Sequence, residues 1–239
     1  VYKDAIASLE RIAKGAGDDQ LVAVVATHYR GTAERLLGDA QATQRSLLWA
    51  LDRSTPFLEE RAKILNSLGT LYVVMGAHGA AQSLLEHAAE LHQRHGDVIG
   101  EAIAYGQLGS AALALGDLER ARRFLQRQEW LCSRVGDVFG QARSLIFLAD
   151  VALARGRPDD ALPLAQKAKD LALGARPPLR LWVAYATRAM GRARLNMGAD
   201  GAHGDLEGAA AIFAEVGNPL GTALTGWDRA RRDAHADNS

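Results

Sequence analysis

Apolar residues recur along this chain at intervals of three and four, in long blocks broken by short polar or glycine-bearing segments, which is the pattern of amphipathic helices. Ala5, Leu9 and Ile12 share one helical face, and Gly15 to Asp18 reads as the loop after it. The same reading predicts helices over about 20–37, 39–54, 57–75, 78–95, 98–115, 118–135, 138–155, 158–173, 179–197, 205–216 and 222–234. Pro56 stands where a helix can open, since proline is tolerated in a first turn. Ala, Leu, Arg and Glu dominate while β-branched residues are sparse, so the fold expected is all-α, with about 12 helices.

One phrase is written repeatedly into this pattern. Leu68-Gly69, Gly76 and Ala81 are answered forty positions later by Leu108-Gly109, Gly116 and Ala121. Gly31 and Gly38, Ala149 and Gly156, and Gly191 and Gly198 keep the same step of seven, and the turn glycines follow one another at 38, 40, 40 and 42 positions. Such a period marks stacked helical hairpins. The small residue inside each first helix lets a neighbouring helix approach closely, and the turn glycine suits the left-handed conformation that ends a helix. Gly109 is therefore expected to resist substitution by leucine, whereas Gly100, near a helix start, is expected to tolerate it better.

The junctions repeat as well. Gly96-Asp97 and Gly136-Asp137 are forty apart, and Asp97 and Asp137 are placed to cap the helices that follow them. Arg176-Pro177-Pro178 replaces that junction before the next helix pair, and Gly198 to Gly204 is longer than its counterparts and reads as a loop. The last helix carries Arg229, Arg231, Arg232 and Asp233, which suit a polar cap, with a disordered tail through Ser239. A single solenoid over 1–239 follows: the second helix of a truncated repeat at 1–17, repeats at 18–56, 57–96, 97–136, 137–176 and 177–217, and a capping helix and tail at 218–239. The chain opens Val1-Tyr2-Lys3 inside a helix without an initiator Met, so a fragment of a larger protein is expected.

Composition narrows the function classes. Lys plus Arg equals Asp plus Glu at 28 each, which gives no electrostatic footprint for nucleic acid or an anionic membrane. Cys132 is the only cysteine, so an intrachain disulfide and a cysteine-rich metal cluster are both excluded, and a reducing, cytoplasmic setting fits best. No apolar run approaches the roughly 18 residues that span a bilayer.

Laid out in this way, the chain resembles the tetratricopeptide repeat family over nearly all of its length. That family uses a small residue in the first helix, a glycine at the turn and an alanine five positions later. Gly69, Gly76, Ala81 and Ala88 fill those places in one pair, Gly109, Gly116, Ala121 and Leu125 in the next, and Ala149, Gly156, Ala161 and Ala168 in the third. Thr43 stands in place of the alanine after Gly38. A period near forty resembles the repeats of kinesin light chains and of large bacterial regulators, in which an ATPase module and a DNA-binding module accompany a helical sensor domain. The resemblance implies a right-handed α-solenoid of antiparallel helix pairs whose first helices line a concave face.

Candidate chemistry is sparse. His87, His92 and His95 share one helix, yet only Glu86 and Glu90 could complete a metal site, so a structural or solvent-facing role is the expectation. Cys132 reads as a small core residue. The acid pairs Glu59-Glu60 and Asp159-Asp160 stand at helix starts, where the amide ends stabilise them. Arg120, Arg122 and Arg123 form a basic cluster read as a solvated face, with a phosphate-binding patch as the alternative. Trp49, Trp130, Trp182 and Trp227 are scattered and read as packing residues.

The concave row is more informative. Three residues before each small position stand His28, Asn66, Gly106, Ile146 and Arg188, and one residue after it Thr32, Thr70, Ser110, Asp150 and Arg192. Asn66 matches the asparagine that kinesin light chain-like repeats use to hold a peptide backbone, while Gly106 and Ile146 interrupt that ladder. Lys63, Arg143, Tyr185 and Asn196 are expected on the same face. Arg143, Arg188 and Arg192, opposed only by Asp150, point to an anionic ligand. The reading is a non-enzymatic interaction or sensor domain with no cofactor and no metal, within a bacterial signalling or transcription-regulatory protein. It binds a protein or peptide segment, or a small effector, without touching nucleic acid or membrane. The alternatives are a regulatory or docking arm of a multidomain cyclase, kinase or protease, and a homo-oligomerisation scaffold.

Overall fold

The computed structural model describes residues 2–236, with side chains described through residue 230. Among the described residues there are α-helices and no strand. In order they are α1 (Tyr2–Gly15), α2 (Gln20–Leu36), α3 (Ala40–Arg53), α4 (Leu58–Val74), α5 (His78–His95), α6 (Val98–Ala114), α7 (Leu118–Val135), α8 (Val138–Ala154), α9 (Pro158–Gly174), α10 (Arg180–Met197), α11 (Ala202–Glu215) and α12 (Pro219–Ala236). Two compact units contain them, Val1–Gly116 and Asp117–Ser239. No helix among the described residues is long and apolar enough to cross a membrane.

In the first unit each helix packs on the next from α1 to α6, and α2 also touches α4, which touches α6. Val24, Ala50 and Ile64 make one knot of its core; Leu47, Leu68 and Leu71 make another. In the second unit the same succession runs from α7 to α12, with α10 touching both α8 and α12. Small side chains dominate one of its clusters, with Ala149, Ala161, Ala165, Ala189 and Ala193 fully or almost fully buried. Every other helix in each unit therefore lies beside its counterpart in the next repeat.

The small positions explain how the hairpins close. A Cβ on Gly69 would lie 2.5 Å from Cγ of Leu85, one on Gly191 2.8 Å from Cγ of Leu206, and one on Gly31 3.0 Å from Cδ2 of Leu47. All three leucines are fully buried, so the missing methyl is the space they occupy. Gly100 departs from expectation: its Cβ would stand 2.2 Å from Nδ1 of His92 and 2.5 Å from Oδ2 of Asp97, making it a close-packed position and not a tolerant one. The turn glycines Gly38, Gly76, Gly116, Gly156 and Gly198 all adopt positive φ, between 64° and 82°, as the pattern required.

Asp97 and Asp137 accept from the amides of Gly100 and Gly140 at 2.9 and 3.0 Å. Asp19, Asp39 and Asp117 cap their helices alike, each acid being worth about 1 kcal/mol over alanine. Three boundaries differ from the pattern. Pro56 sits in a turn and α4 begins only at Leu58, because the Phe57 amide donates back to the Ser54 carbonyl at 2.8 Å. The segment read as a loop through Gly204 is helical from Ala202, Gly201 taking the left-handed cap position. The last helix begins at Pro219, where Asn218 Oδ1 accepts from the Gly221 amide at 2.7 Å. The Arg176-Pro177 bond is cis. Of the proposed polar cap, Arg229 stands 3.5 Å from Glu207, while the side chains of Arg231, Arg232 and Asp233 and the tail 237–239 lie outside the described residues.

Candidate binding groove

In the first unit, His28, Lys63, Asn66 and Thr70 of the concave row line one open pocket of about 410 Å³. Its polar floor is already wired from within. His28 is buried, with Nδ1 2.6 Å from Oε1 of Glu60 and Nε2 2.8 Å from Oγ of Ser67. Asn66 is buried too, its Nδ2 reaching Nε2 of His92 and the Gly100 carbonyl, both at 3.0 Å. On the far side of that imidazole, Nδ1 lies 2.9 Å from Oδ2 of Asp97. Thr70 Oγ1 donates to the Asn66 carbonyl at 2.8 Å, and Thr32 Oγ1 to the His28 carbonyl at 3.3 Å. His28 and Asn66 thus serve as buried struts between α2, α4, α5 and α6, and not as free ligand-seeking groups. One acceptor remains: Oδ1 of Asn66 is buried without a partner.

Burial alone would push the Glu60 carboxyl up, but the hydrogen bond and charge of His28, helped by Lys63 at 3.5 Å, hold it below the usual range. Glu60 is therefore a first-turn acid of α4, as read, and also a buried partner of α2. Burial pulls the His92 imidazole below 6.5, against the raising pull of Asp97, so it is neutral at pH 7. His87 and His95, on the same helix, are exposed.

The pocket also has walls that the row omitted. Ile99, Ile103 and Gln107 of α6 face it, with Ser67 of α4 and Arg35 of α2. The isoleucines are 57% and 44% exposed, so an apolar rim stands above a polar floor. Repetition carried the signal: Ile103 is forty residues after Lys63, and Gln107 forty after Ser67. Ser110 is half-buried on α6 and is not among the pocket-lining residues.

The second unit treats its row differently. Arg188 Nε stands 2.6 Å from Oδ2 of Asp228, whose side chain is 5% exposed, and Arg192 pairs with Asp150 while its Nε lies 3.7 Å from Oδ1 of Asp228. The positive excess expected there is thus reduced from two charges to one, because α12 supplies an acid that the row had not counted. Burial lifts the Asp150 carboxyl above its ordinary range, against the lowering pull of Arg192. Arg143 is half-buried, its Nε has no partner, and burial lowers its pKa. Tyr185 belongs to an aromatic cluster, edge-on to Phe213 at 4.8 Å and tilted on Trp182 at 5.7 Å. Asn196 is exposed and donates to the Arg192 carbonyl at 2.7 Å. Ile146 is buried.

Cys132 is a core residue as read, and burial with the neighbouring Asp137 pushes its thiol up to about 12. Of the four tryptophans, Trp182 packs against the core as read, and the other three are a correction. Trp49, Trp130 and Trp227 are 37%, 43% and 59% exposed, and Arg53 stacks on Trp49 at 4.4 Å while Arg127 and Arg134 flank Trp130.

Antiparallel hairpins with a glycine turn every forty residues define a helical repeat protein. Residues 60–127 match the model of the tetratricopeptide repeat family. BtubC (BKLC) from P. vanneervenii has the same fold, at 16% identity and a TM-score of 0.77, over 91% of this chain and 92% of that one. The nearly identical TPR-like repeats of a putative kinesin light chain from Podosopora anserina match at 18% identity and a TM-score of 0.66, covering 81% and 95% of the two chains. A Rap protein complexed with competence and sporulation factor matches at 11% identity and a TM-score of 0.70 over 91% of this chain, which spans 66% of that protein. No curated protein sequence matches this one significantly.

Proposed function

We propose that this chain is a non-catalytic interaction module that holds an extended segment of a partner protein in the groove of its first unit, within a cytoplasmic bacterial signalling or regulatory protein. One observation carries the reading: three successive first helices, α2, α4 and α6, contribute polar floor and apolar rim to a single open pocket, whereas the matching row of the second unit is occupied by its own ion pairs. Exposed Ile99 and Ile103 offer apolar contact, Gln107 and Ser67 offer hydrogen bonds, and Lys63 and Arg35 offer charge to a segment lying across them. The fold is shared with a Rap protein solved in complex with competence and sporulation factor, which supports a binding role for this fold.

Phage-displayed random decapeptides selected on the full chain test the reading. Ile103→Asp is exposed enough to leave the fold intact and is expected to abolish capture of the selected peptides. Leu220→Asp, more exposed and on α12, is expected to leave it unchanged. Peptides that bind both variants equally would refute the groove.

A further inference from the structure

The second unit holds a cavity unrelated to the groove, where α7, the end of α8 and the start of α9 meet. It measures about 120 Å³, the volume of about four liquid waters. Its floor is apolar, made by Leu148, Val151 and Leu164, and its rim carries three guanidiniums, Arg122, Arg155 and Arg157. The basic cluster at Arg120 to Arg123 therefore does not stand alone: one of its members converges with two arginines from the α8–α9 turn.

Partners account for only part of that charge. Glu119 is shared between Arg155 at 2.7 Å and Arg122 at 3.4 Å, and Asp160 pairs with Arg157 at 2.6 Å, so three cations face two carboxylates. The Nε of Arg122 is buried with no acceptor. A buried charged donor without an acceptor is costly, and an oxyanion in the cavity would relieve it. The turn itself is altered in the same sense. Asp39 and Asp117 follow the turn glycines Gly38 and Gly116 and cap α3 and α7, but Arg157 follows Gly156, and α9 begins without a side-chain cap. Positive charge stands where those two repeats place an acid and where the repeat of α5 places Ala77.

We infer that this cavity is a binding site for a small monocarboxylate with a compact apolar body, such as a short branched-chain acid. The single uncompensated positive charge matches one carboxylate, which a guanidinium receives in bidentate fashion, and Leu148, Val151 and Leu164 receive the hydrocarbon. The volume excludes a nucleotide or a peptide. The site stands independently of the groove on α2, α4 and α6, and the loss of one reading leaves the other in place.

Titration of the full chain, followed by methyl and amide NMR, tests it with isovalerate, isovaleramide and inorganic phosphate as probes. Isovalerate is expected to produce saturable shifts confined to the methyls of Leu148, Val151 and Leu164 and their neighbours, with isovaleramide at least tenfold weaker. Arg155→Gln and, separately, the more exposed Arg157→Gln should each weaken isovalerate tenfold or more. Glu119→Gln, which frees two guanidiniums, should leave binding equal or tighter, and Arg123→Gln should change nothing. Equal binding of acid and amide, shifts scattered away from the cavity, or phosphate competing on equal terms with isovalerate would each overturn the assignment.

Discussion

Nδ2 of Asn66 donates to Nε2 of His92 at 3.0 Å, and that one bond fixes the protonation of a buried imidazole. Since Nε2 must accept, Nδ1 carries the hydrogen and donates it to Asp97, whose other oxygen caps α6. The groove floor, a helix cap and a neutral histidine are thus one connected device. Asn66→Ala leaves both Nε2 of His92 and the Gly100 carbonyl without their donor, and the expected loss is about 1–3 kcal/mol. Denaturant unfolding of the variant against the parent measures it.

The same histidine sets a pH dependence. Its folded pKa is below 6.5, so the unfolded chain binds the proton more readily and stability falls as pH drops from 6.5 through the folded value. Glu60, also lowered, adds a loss in the same direction below 4.5. Thermal melts are expected to show a falling midpoint on acidification across the first window, and His92→Gln is expected to flatten that slope while Glu60 preserves the loss at lower pH.

The pairing of Arg188 and Arg192 with Asp228 and Asp150 makes both residues matter for stability. Replacing both by alanine strands the Asp228 carboxylate, 5% exposed, at an expected cost of about 3–5 kcal/mol. Adding Asp228→Asn to that variant should recover part of the loss, which a chemical denaturation series of the three proteins would read directly.

Glycines separate by what surrounds them. Gly100→Ala, whose methyl would meet His92 and Asp97, should destabilise by about 1–3 kcal/mol. Gly79→Ala meets nothing within 4 Å on α5 and should instead stabilise by up to about 1 kcal/mol through helix propensity. Opposite shifts of the melting midpoint are the expected result.

Cys132, buried and with its thiol raised to about 12, has almost no thiolate near neutrality. Alkylation by iodoacetamide should therefore track unfolding, proceeding at the free-thiol rate only when denaturant opens the second unit.

Much of the fold was legible because its signals are local. A glycine that must take positive φ and an acid that must cap the next helix recur at a fixed interval, and neither depends on distant neighbours. The misplaced starts of α4, α11 and α12 arose where one short contact, such as Phe57 to Ser54 or Asn218 to Gly221, decided the first turn. The site was legible as positions but not as partnerships. His28 and Asn66 stood in the predicted row, yet the row says nothing of Glu60 or His92 turning toward them from neighbouring helices. Asp228 lay within reach of the same logic, since it follows Arg188 by forty residues, but its sign mattered more than its place. The convergence of Arg122 with Arg155 and Arg157 joins residues more than thirty apart in sequence and is invisible without the hairpin that brings them together.

The acid that neutralises Arg188 and Arg192 is carried by α12, the last helix described. Cleavage by a protease in the segment between α11 and α12, with loss of α12, would therefore strip Arg188 of its carboxylate and leave Arg192 with Asp150 alone. A row with one excess guanidinium in the longer chain would carry two in the shorter one and attract polyanions more strongly. Heparin-column retention of the two forms would report the difference as a change of local field alone, since the segment removed carries three Arg and three Asp and the net charge stays at zero.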